Sequence, residues 1–314
     1  MTRYVLVRVV NGLFVLWAAL TLSFLVLHLV PGDPVAVMLR GAGGEGSAVD
    51  PAAADALRAQ LGLDQPVYRQ YLEFVGDAAR WEFGTSFRSG DEVTAVLGRA
   101  LPATLELAGA ALLLSLVVGV AAAVAASLLP TAPLRSAVLS STVVGNALPS
   151  FWTGIILLQV FSFGLGWFPA FGAGTLDQLV LPAITLALPG IGLLTQVLGR
   201  GLRTALAEPY VRTARAKGAR RLRVVTVHAL RNAAIPAMTL FGLMIGGIVA
   251  GAVVTETVFA REGVGRLTAE AIGAHDFPVI RALVFLAGAL YVVVNLAVDL
   301  IYPRVDPRIV LRSA

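Results

Sequence analysis

Residues 102–128 read PATLELAGAALLLSLVVGVAAAVAASL, with Glu106 as the only charged side chain. A helix rises 1.5 Å per residue, so this run is long enough to cross a hydrocarbon core of about 30 Å while satisfying its own backbone groups. Five other apolar stretches meet the same criterion: 9–30, 134–161, 179–198, 236–259 and 280–302. Composition agrees, since 57% of the 314 residues are hydrophobic, 14% are charged and the mean hydropathy is +0.82. The predicted fold class is an all-α, polytopic membrane protein with six transmembrane helices. The first run follows Arg3 and Arg8 and ends at Pro31-Gly32-Asp33-Pro34 with no small-x-small site, which predicts a retained span and not a cleaved signal.

Pro102, Pro182 and Pro236 stand near the starts of their expected spans, where a missing N–H costs little. Pro149 and Pro189 fall inside spans and are expected to kink them. The distribution of arginine sets the orientation. The loop 200–232 holds nine basic residues, among them Lys217, the only lysine, against the single acid Glu208. Arg3, Arg8, Arg135, Arg304, Arg308 and Arg312 fall on the same side, so both termini are expected in the cytoplasm. The opposite side carries an acidic insert. The expected organisation is a cytoplasmic N-terminus and first span (1–30), an extracytoplasmic insert (31–99), a five-helix core (100–302) and a cytoplasmic tail (303–314).

Within the insert, Asp50-Pro51 predicts a helix over 52–61, and Gln65-Pro66 opens a second in which Val67, Tyr71, Phe74 and Val75 recur at helical spacing. It reads as a small cap on the outer mouth or as a spacer between spans.

Several chemistries are excluded. With no cysteine there is no disulfide or thiolate metal site. Lys217 follows Ala216 and not glycine, so the chain carries no P-loop and cannot be its own Walker-type ATPase. The glycines of 41–46 match G-x-G-x-x-G but follow a span and not a strand, which makes them a flexible loop. His28, His228 and His275 are scattered among a span and two loops, giving no metal set, and no G-x-S-x-G elbow is present. No catalytic residue is assigned.

The basic loop is the main positive feature. Tyr210-Val211-Arg212-Thr213-Ala214-Arg215-Ala216-Lys217-Gly218 predicts a short helix ended by glycine. Small side chains at Thr213, Ala214 and Ala216 allow close approach of a partner's surface, and Arg212, Arg215 and Lys217 surround the contact with charge. The alternative is that the arginines only fix topology and meet lipid head groups. With Tyr210 as its only aromatic and a membrane tether, the loop does not suit nucleic acid.

These residues, followed by His228-Ala229-Leu230-Arg231-Asn232 and Ile235-Pro236, resemble the permease signature of binding-protein-dependent ABC importers in its dipeptide/oligopeptide/nickel version. Pro31-Gly32-Asp33-Pro34, Leu61-Gly62-Leu63-Asp64-Gln65-Pro66, Phe83-Gly84-Thr85-Ser86, Leu101-Pro102-Ala103-Thr104-Leu105, Pro149-Ser150-Phe151-Trp152, Glu256-Thr257-Val258-Phe259 and Asp306-Pro307-Arg308 extend the resemblance over the whole chain. It implies a type I ABC importer permease fold in a bacterial inner membrane. It also implies a second permease chain forming a pseudo-symmetric heterodimer, two ATPase subunits that carry ATP and Mg, and an extracytoplasmic solute-binding protein. Tyr210 to Gly218 then form the coupling helix that sits in a groove of the ATPase. The general signature favours an acid at the position of Arg212, which leaves the local charge pairing open. The implied solutes are short peptides, with nickel or another small solute as the alternative. An ion-driven secondary transporter is the reading from another class, and it has few intramembrane acids to work with.

Three ionisable residues fall in or near the spans. Glu106 complements the start of its helix. Glu256, near the outer end of the fifth span, reads either as a contact to its own loop residues Arg261 or Arg266 or as part of an outer gate. Asp299 is placed beside Arg304 as an interfacial ion pair. Gly242, Gly246, Gly247 and Gly251 serve either internal packing or a seam with the second permease chain. Asn146, Pro149, Ser150, Phe151 and Asn295 combine polarity or a kink with mid-span position and are candidates for the solute path, with Glu256 as a candidate gate.

Overall fold

The computed structural model describes residues 2–29, 35, 51–60 and 64–305. The turn at 31–34, the glycine loop 41–46 and the tail 306–314 lie outside these residues, as do the side chains of Asn146, Asp299 and Arg304. The helices are α1 (Thr2–Leu29), α2 (Pro51–Gln60), α3 (Val67–Arg80), α4 (Val93–Leu128), α5 (Ala132–Ala147), α6 (Ser150–Leu157), α7 (Leu176–Ala207), α8 (Pro209–Ala216), α9 (Arg221–Arg223), α10 (Leu230–Val258), α11 (Val264–Gly273) and α12 (Phe277–Val305). Two π-helical stretches, Leu158–Gly164 and Val224–Ala229, continue α6 and lead into α10. The described residues hold one isolated antiparallel bridge, Thr85 with Glu92.

Among the described residues five helical stretches are long and apolar enough to cross a membrane: Leu6–Leu25, Val93–Leu128, Leu176–Ala207, Leu240–Val258 and Phe277–Leu296. The expected third span, 134–161, is two helices. Leu148 is extended at φ −96° and ψ 137°, and Pro149 precedes α6 at ψ 135°. Proline pushes the residue before it out of the helical region and has no N–H to continue the ladder, so Pro149 separates two helices where a kink was expected. The result is a 16-residue α5 and a shorter apolar stretch, Ser150–Gly164. Pro102, Pro182 and Pro236 are interior and not near helix starts, because α4, α7 and α10 begin at Val93, Leu176 and Leu230 with more polar lead-in turns. Likewise α7 runs through Pro189 to Ala207, past the limit that hydropathy set.

The chain divides into two compact units, Met1–Pro102 with Leu267–Leu296, and Ala103–Arg266 with Ala297–Ala314. In the first, amphipathic α3 buries Phe74 and Ala78 among Leu20 and Phe24 of α1 and Phe285 of α12. The hydroxyls of Thr21 and Tyr71 are 2.7 Å apart, and the Arg281 guanidinium lies 5.4 Å from the centre of the Phe74 ring. Asp276 is buried and ties down the loop after α3: it accepts from Ser86 Oγ at 2.5 Å and from the N–H groups of Phe87 at 3.1 Å and Arg88 at 3.4 Å. Arg88 also meets Glu270 at 2.9 Å. A buried carboxylate needs such donors, since leaving it bare costs several kcal/mol.

In the second unit α7 is the central helix, with over half of its apolar window buried. Ala183, Leu186, Ala187 and Ile191 pack on Leu107 and Ala111 of α4 and on Ile248 and Ala252 of α10. Further along, Leu194, Leu198 and Leu202 pack on Ala123, Val225, Ala229 and Ala233. Small residues permit this approach, as membrane helices associate by close van der Waals contact. A Cβ on Gly201 would lie 3.0 Å from that of Ala233, and one on Gly251 only 2.8 Å from Leu186 Cδ1. Gly246 and Gly247, on the same helix as Gly251, face open space. On another side of α7, Gln196 Nε2 donates to the Leu139 carbonyl at 2.6 Å and holds α5.

Candidate functional site

The basic loop builds an exposed helix with defined ends. Glu208 is extended at φ −68° and ψ 149°, and Pro209 occupies the first turn of α8, where its missing N–H has no helical partner to lose. At the other end Gly218 has φ +82°, a conformation that costs an L side chain about 1–2 kcal/mol. That turn lets the Gly218 N–H reach the Arg215 carbonyl at 2.9 Å and the Ala219 N–H reach that of Ala214 at 3.1 Å, the paired bonds of a Schellman ending. Val211 is buried and anchors the helix, Tyr210 and Ala214 are half-buried, and Arg212, Thr213, Arg215, Ala216, Lys217 and Gly218 are exposed. Tyr210 Oη accepts from Asn232 Nδ2 at 3.0 Å.

Beyond α8, Arg221 donates to the carbonyls of Ser127 at 3.2 Å and Leu129 at 3.3 Å, fixing the loop to the end of α4. The π-helical turn Val224–Ala229 buries Val224, Val225 and Ala229 and leaves His228 exposed. Residues of α8 and of this turn surround an open recess of about 510 Å³. What the arrangement offers is a rigid projecting helix, flat where its side chains are small and cationic at its edges.

A second cluster forms around Glu256, which is fully buried. One carboxylate oxygen accepts from Thr104 Oγ1 at 2.6 Å, and the other accepts from the N–H groups of Gly265 at 2.7 Å and Arg266 at 3.1 Å. Thr104 Oγ1 in turn accepts from the Val264 N–H at 2.7 Å. The carboxylate therefore caps the start of α11, satisfying N–H groups that have no partner inside the helix. A Cβ on Gly263 would lie 2.3 Å from this carboxylate, and one on Gly265 2.6 Å from Val253 Cα, so both positions need glycine.

Arg261 is also fully buried but does not pair with Glu256. It donates to the Gln178 carbonyl at 3.1 Å, to the Gly172 carbonyl at 3.4 Å and to Glu106 Oε2 at 3.1 Å, while its Nε has no partner. Glu106 thus answers a buried arginine 155 positions away; because α4 begins at Val93, it stands well inside the helix and not at the start it was expected to complement.

The expected path residues are spread out. Asn146 stands one residue from the end of α5, with Pro149, Ser150 and Phe151 just after it; Pro149 and Phe151 are exposed. Asn295 belongs to the other unit, where its Nδ2 donates to the Tyr291 carbonyl at 2.8 Å. Sequence reading passed over Asp276 and Arg281 and gave Arg261 no partner of its own beyond Glu256. A charge at the edge of an apolar run was the available signal. Among the described residues no group of three His, Cys, Asp or Glu side chains is placed to hold a metal ion.

Comparison with known proteins gives the architecture a family. Residues 100–311 match the family described as binding-protein-dependent transport system inner membrane component, and residues 1–108 match its N-terminal counterpart. The chain is 39% identical to the di/tripeptide transport system permease protein DppB of Pseudomonas aeruginosa (strain UCBPP-PA14), over 92% of this chain and 93% of that one. It is 36% identical to the oligopeptide transport system permease protein AppB of Bacillus subtilis (strain 168) and 33% identical to the glutathione transport system permease protein GsiC of Escherichia coli (strain K12), each over 98% of this chain and 99% of the other. Inward-facing structures of the MetNI methionine ABC transporter share the fold, with a TM-score of 0.57 at 16% identity over 68% of this chain and 97% of that one. An all-α chain whose described residues include five apolar span-length helices, matched along nearly its whole length, belongs to the binding-protein-dependent transport system inner membrane components: it is a multi-pass inner-membrane permease subunit and not an enzyme.

Proposed function

We propose that this permease imports short peptides handed over by a solute-binding protein, using ATP hydrolysed by separate subunits. The peptide class is supported by relatives whose names specify di/tripeptide and oligopeptide transport and whose lengths match this chain almost end to end. The working assembly is this chain with one second permease chain, two cytoplasmic ATPases and one binding protein. Each permease crosses the membrane six times with both termini in the cytoplasm. The sixth crossing comes from α5 and the stretch Ser150–Gly164 taken together, and Asn146, Pro149, Ser150 and Phe151 at the junction, with Asn295, belong to the solute path.

The observation that carries this reading is α8. It is anchored on its buried Val211, ended by Gly218, and exposes small and cationic side chains. That makes it suited to enter a groove on the ATPase and pass on the closure of the ATPases as rigid-body motion. Glu256 is read as the anchor of the segment after α10, since its carboxylate is already occupied by three donors.

The test is Ala214→Asp, which puts a charge and bulk on the docking face without touching the buried anchor. Peptide uptake in reconstituted vesicles is expected to fall at least about tenfold, because a buried uncompensated charge at a contact costs several kcal/mol. Expression and monodispersity of the purified permease stay at wild-type levels. Unchanged uptake removes α8 from the coupling role.

A further inference from the structure

Positive charge keeps a loop on one side of the bilayer, but topology asks for no particular arrangement of those charges. Here there is one. Lys217 at the cap of α8, Arg223 at the end of α9 and His228 in the π-helical turn come from three successive elements and line the same open recess of about 510 Å³. Tyr210 and Thr213 add hydroxyls to its wall, and among the described residues no acidic side chain lines it. Glu208, the one acid of the loop, lies at the opposite end of α8. Among the described residues the side chains of Lys217, Arg223 and His228 have no ion-pair partner, whereas Arg221 is committed to the Ser127 and Leu129 carbonyls. Basic groups gathered around a concave surface repel one another and are relieved by an anion that enters it.

We propose that this recess is a socket for an acidic side chain of the ATPase. The permease then receives a carboxylate from its partner as well as presenting α8 to it. The inference rests on the reading of α8 as the docking helix and adds the chemistry by which one ATPase is accepted over another. A carboxylate entering the socket meets the Lys217 ammonium and the Arg223 guanidinium as charge-assisted donors, and the Thr213 hydroxyl as a third. Because the socket is open, its pairs stay partly hydrated and therefore sensitive to salt.

The experiment titrates purified ATPase onto the full permease assembly in nanodiscs of neutral lipid, at about 0.05 and about 0.5 M salt. Wild-type affinity is expected to fall as salt rises. Lys217→Gln with Arg223→Gln is expected to weaken binding roughly 10- to 100-fold at low salt and to flatten the salt dependence, and Lys217→Glu with Arg223→Glu to weaken it further. Both residues are exposed, and the glutamine pair controls for damage by reversed charge. Unchanged affinity and salt slope in both pairs overturns the socket. So does an effect seen only when the nanodiscs contain anionic lipid, which assigns the recess to lipid phosphate. Ala216→Asp, on the exposed face of α8 but outside the recess wall, run in parallel separates the two claims. If it abolishes binding while the glutamine pair binds normally, α8 docks and the socket fails; if it binds normally as well, the docking reading itself fails.

Discussion

A buried acid and a buried base lie five residues apart at Glu256 and Arg261, and the side chain of each bonds to groups other than the other's side chain. Glu256 is held by a hydroxyl and two backbone N–H groups, which makes its loss costly: Glu256→Ala leaves those donors unpaired and is expected to destabilise the permease by about 3 kcal/mol. Gly263→Ala is expected to be comparably damaging, because its Cβ would meet the carboxylate at 2.3 Å. The informative variant combines them. Removing the carboxylate opens the space that the new methyl needs, so the double variant is expected to fall short of the sum by about 1–3 kcal/mol. Thermal unfolding of the purified permease checks this, and strict additivity would contradict the geometry. Of this, only the contact of Glu256 with its loop residue Arg266 was legible in the sequence, and there the donor is the backbone N–H. Hydropathy marked Glu256 as a charge near the end of a span, but Thr104 is 152 positions away, and Gly263 and Gly265 look like ordinary loop glycines until a carboxylate and a backbone are seen against them.

At the level of elements, α8 was legible because its signals are local: a proline to start, a glycine to stop and one buried residue between. The left-handed turn at Gly218 has open space around its missing Cβ, so substitutions there act through backbone strain alone. Gly218→Asn is expected to preserve the last turn of α8. Gly218→Val is expected to fray it and to lower hydrogen-exchange protection at the Lys217 and Ala219 amides by about tenfold or more, at a strain of 1–2 kcal/mol. Equal protection in the two variants would mean that the Schellman bonds do not hold the end. The break at Pro149 was half legible. Its position was seen, but whether an interior proline bends a helix or ends it depends on what packs nearby, and Pro182 and Pro189 pass within one unbroken α7 that is packed on several sides.

For the molecule as a whole, the glycines of α10 separate the packing within this chain from surface left for others. Gly251 is pressed against Leu186, whereas Gly246 and Gly247 face open space on the same helix. Gly251→Leu is expected to reduce the yield of folded permease, since overpacking a tight contact costs about 1–3 kcal/mol. Gly247→Leu is expected to leave this chain folded and to reduce its co-purification with the second permease chain, as measured by tagged pull-down from membranes. Retained pairing would assign that face to lipid. Sequence pattern alone gives both glycines the same meaning, because small-residue spacing records a close approach without saying to what.

The break between α5 and α6 bears on how the protein is made. A 16-residue α5 is roughly 24 Å long, short of the hydrocarbon thickness, and α6 is shorter still. A nascent chain leaving the ribosome offers this region before α7 exists, yet α7 supplies the Gln196 that binds the Leu139 carbonyl and the Leu188 carbonyl against which Gly145 rests. Stable placement of this segment is therefore expected to follow synthesis of α7, with the insertion machinery sheltering a short helix until its partner arrives.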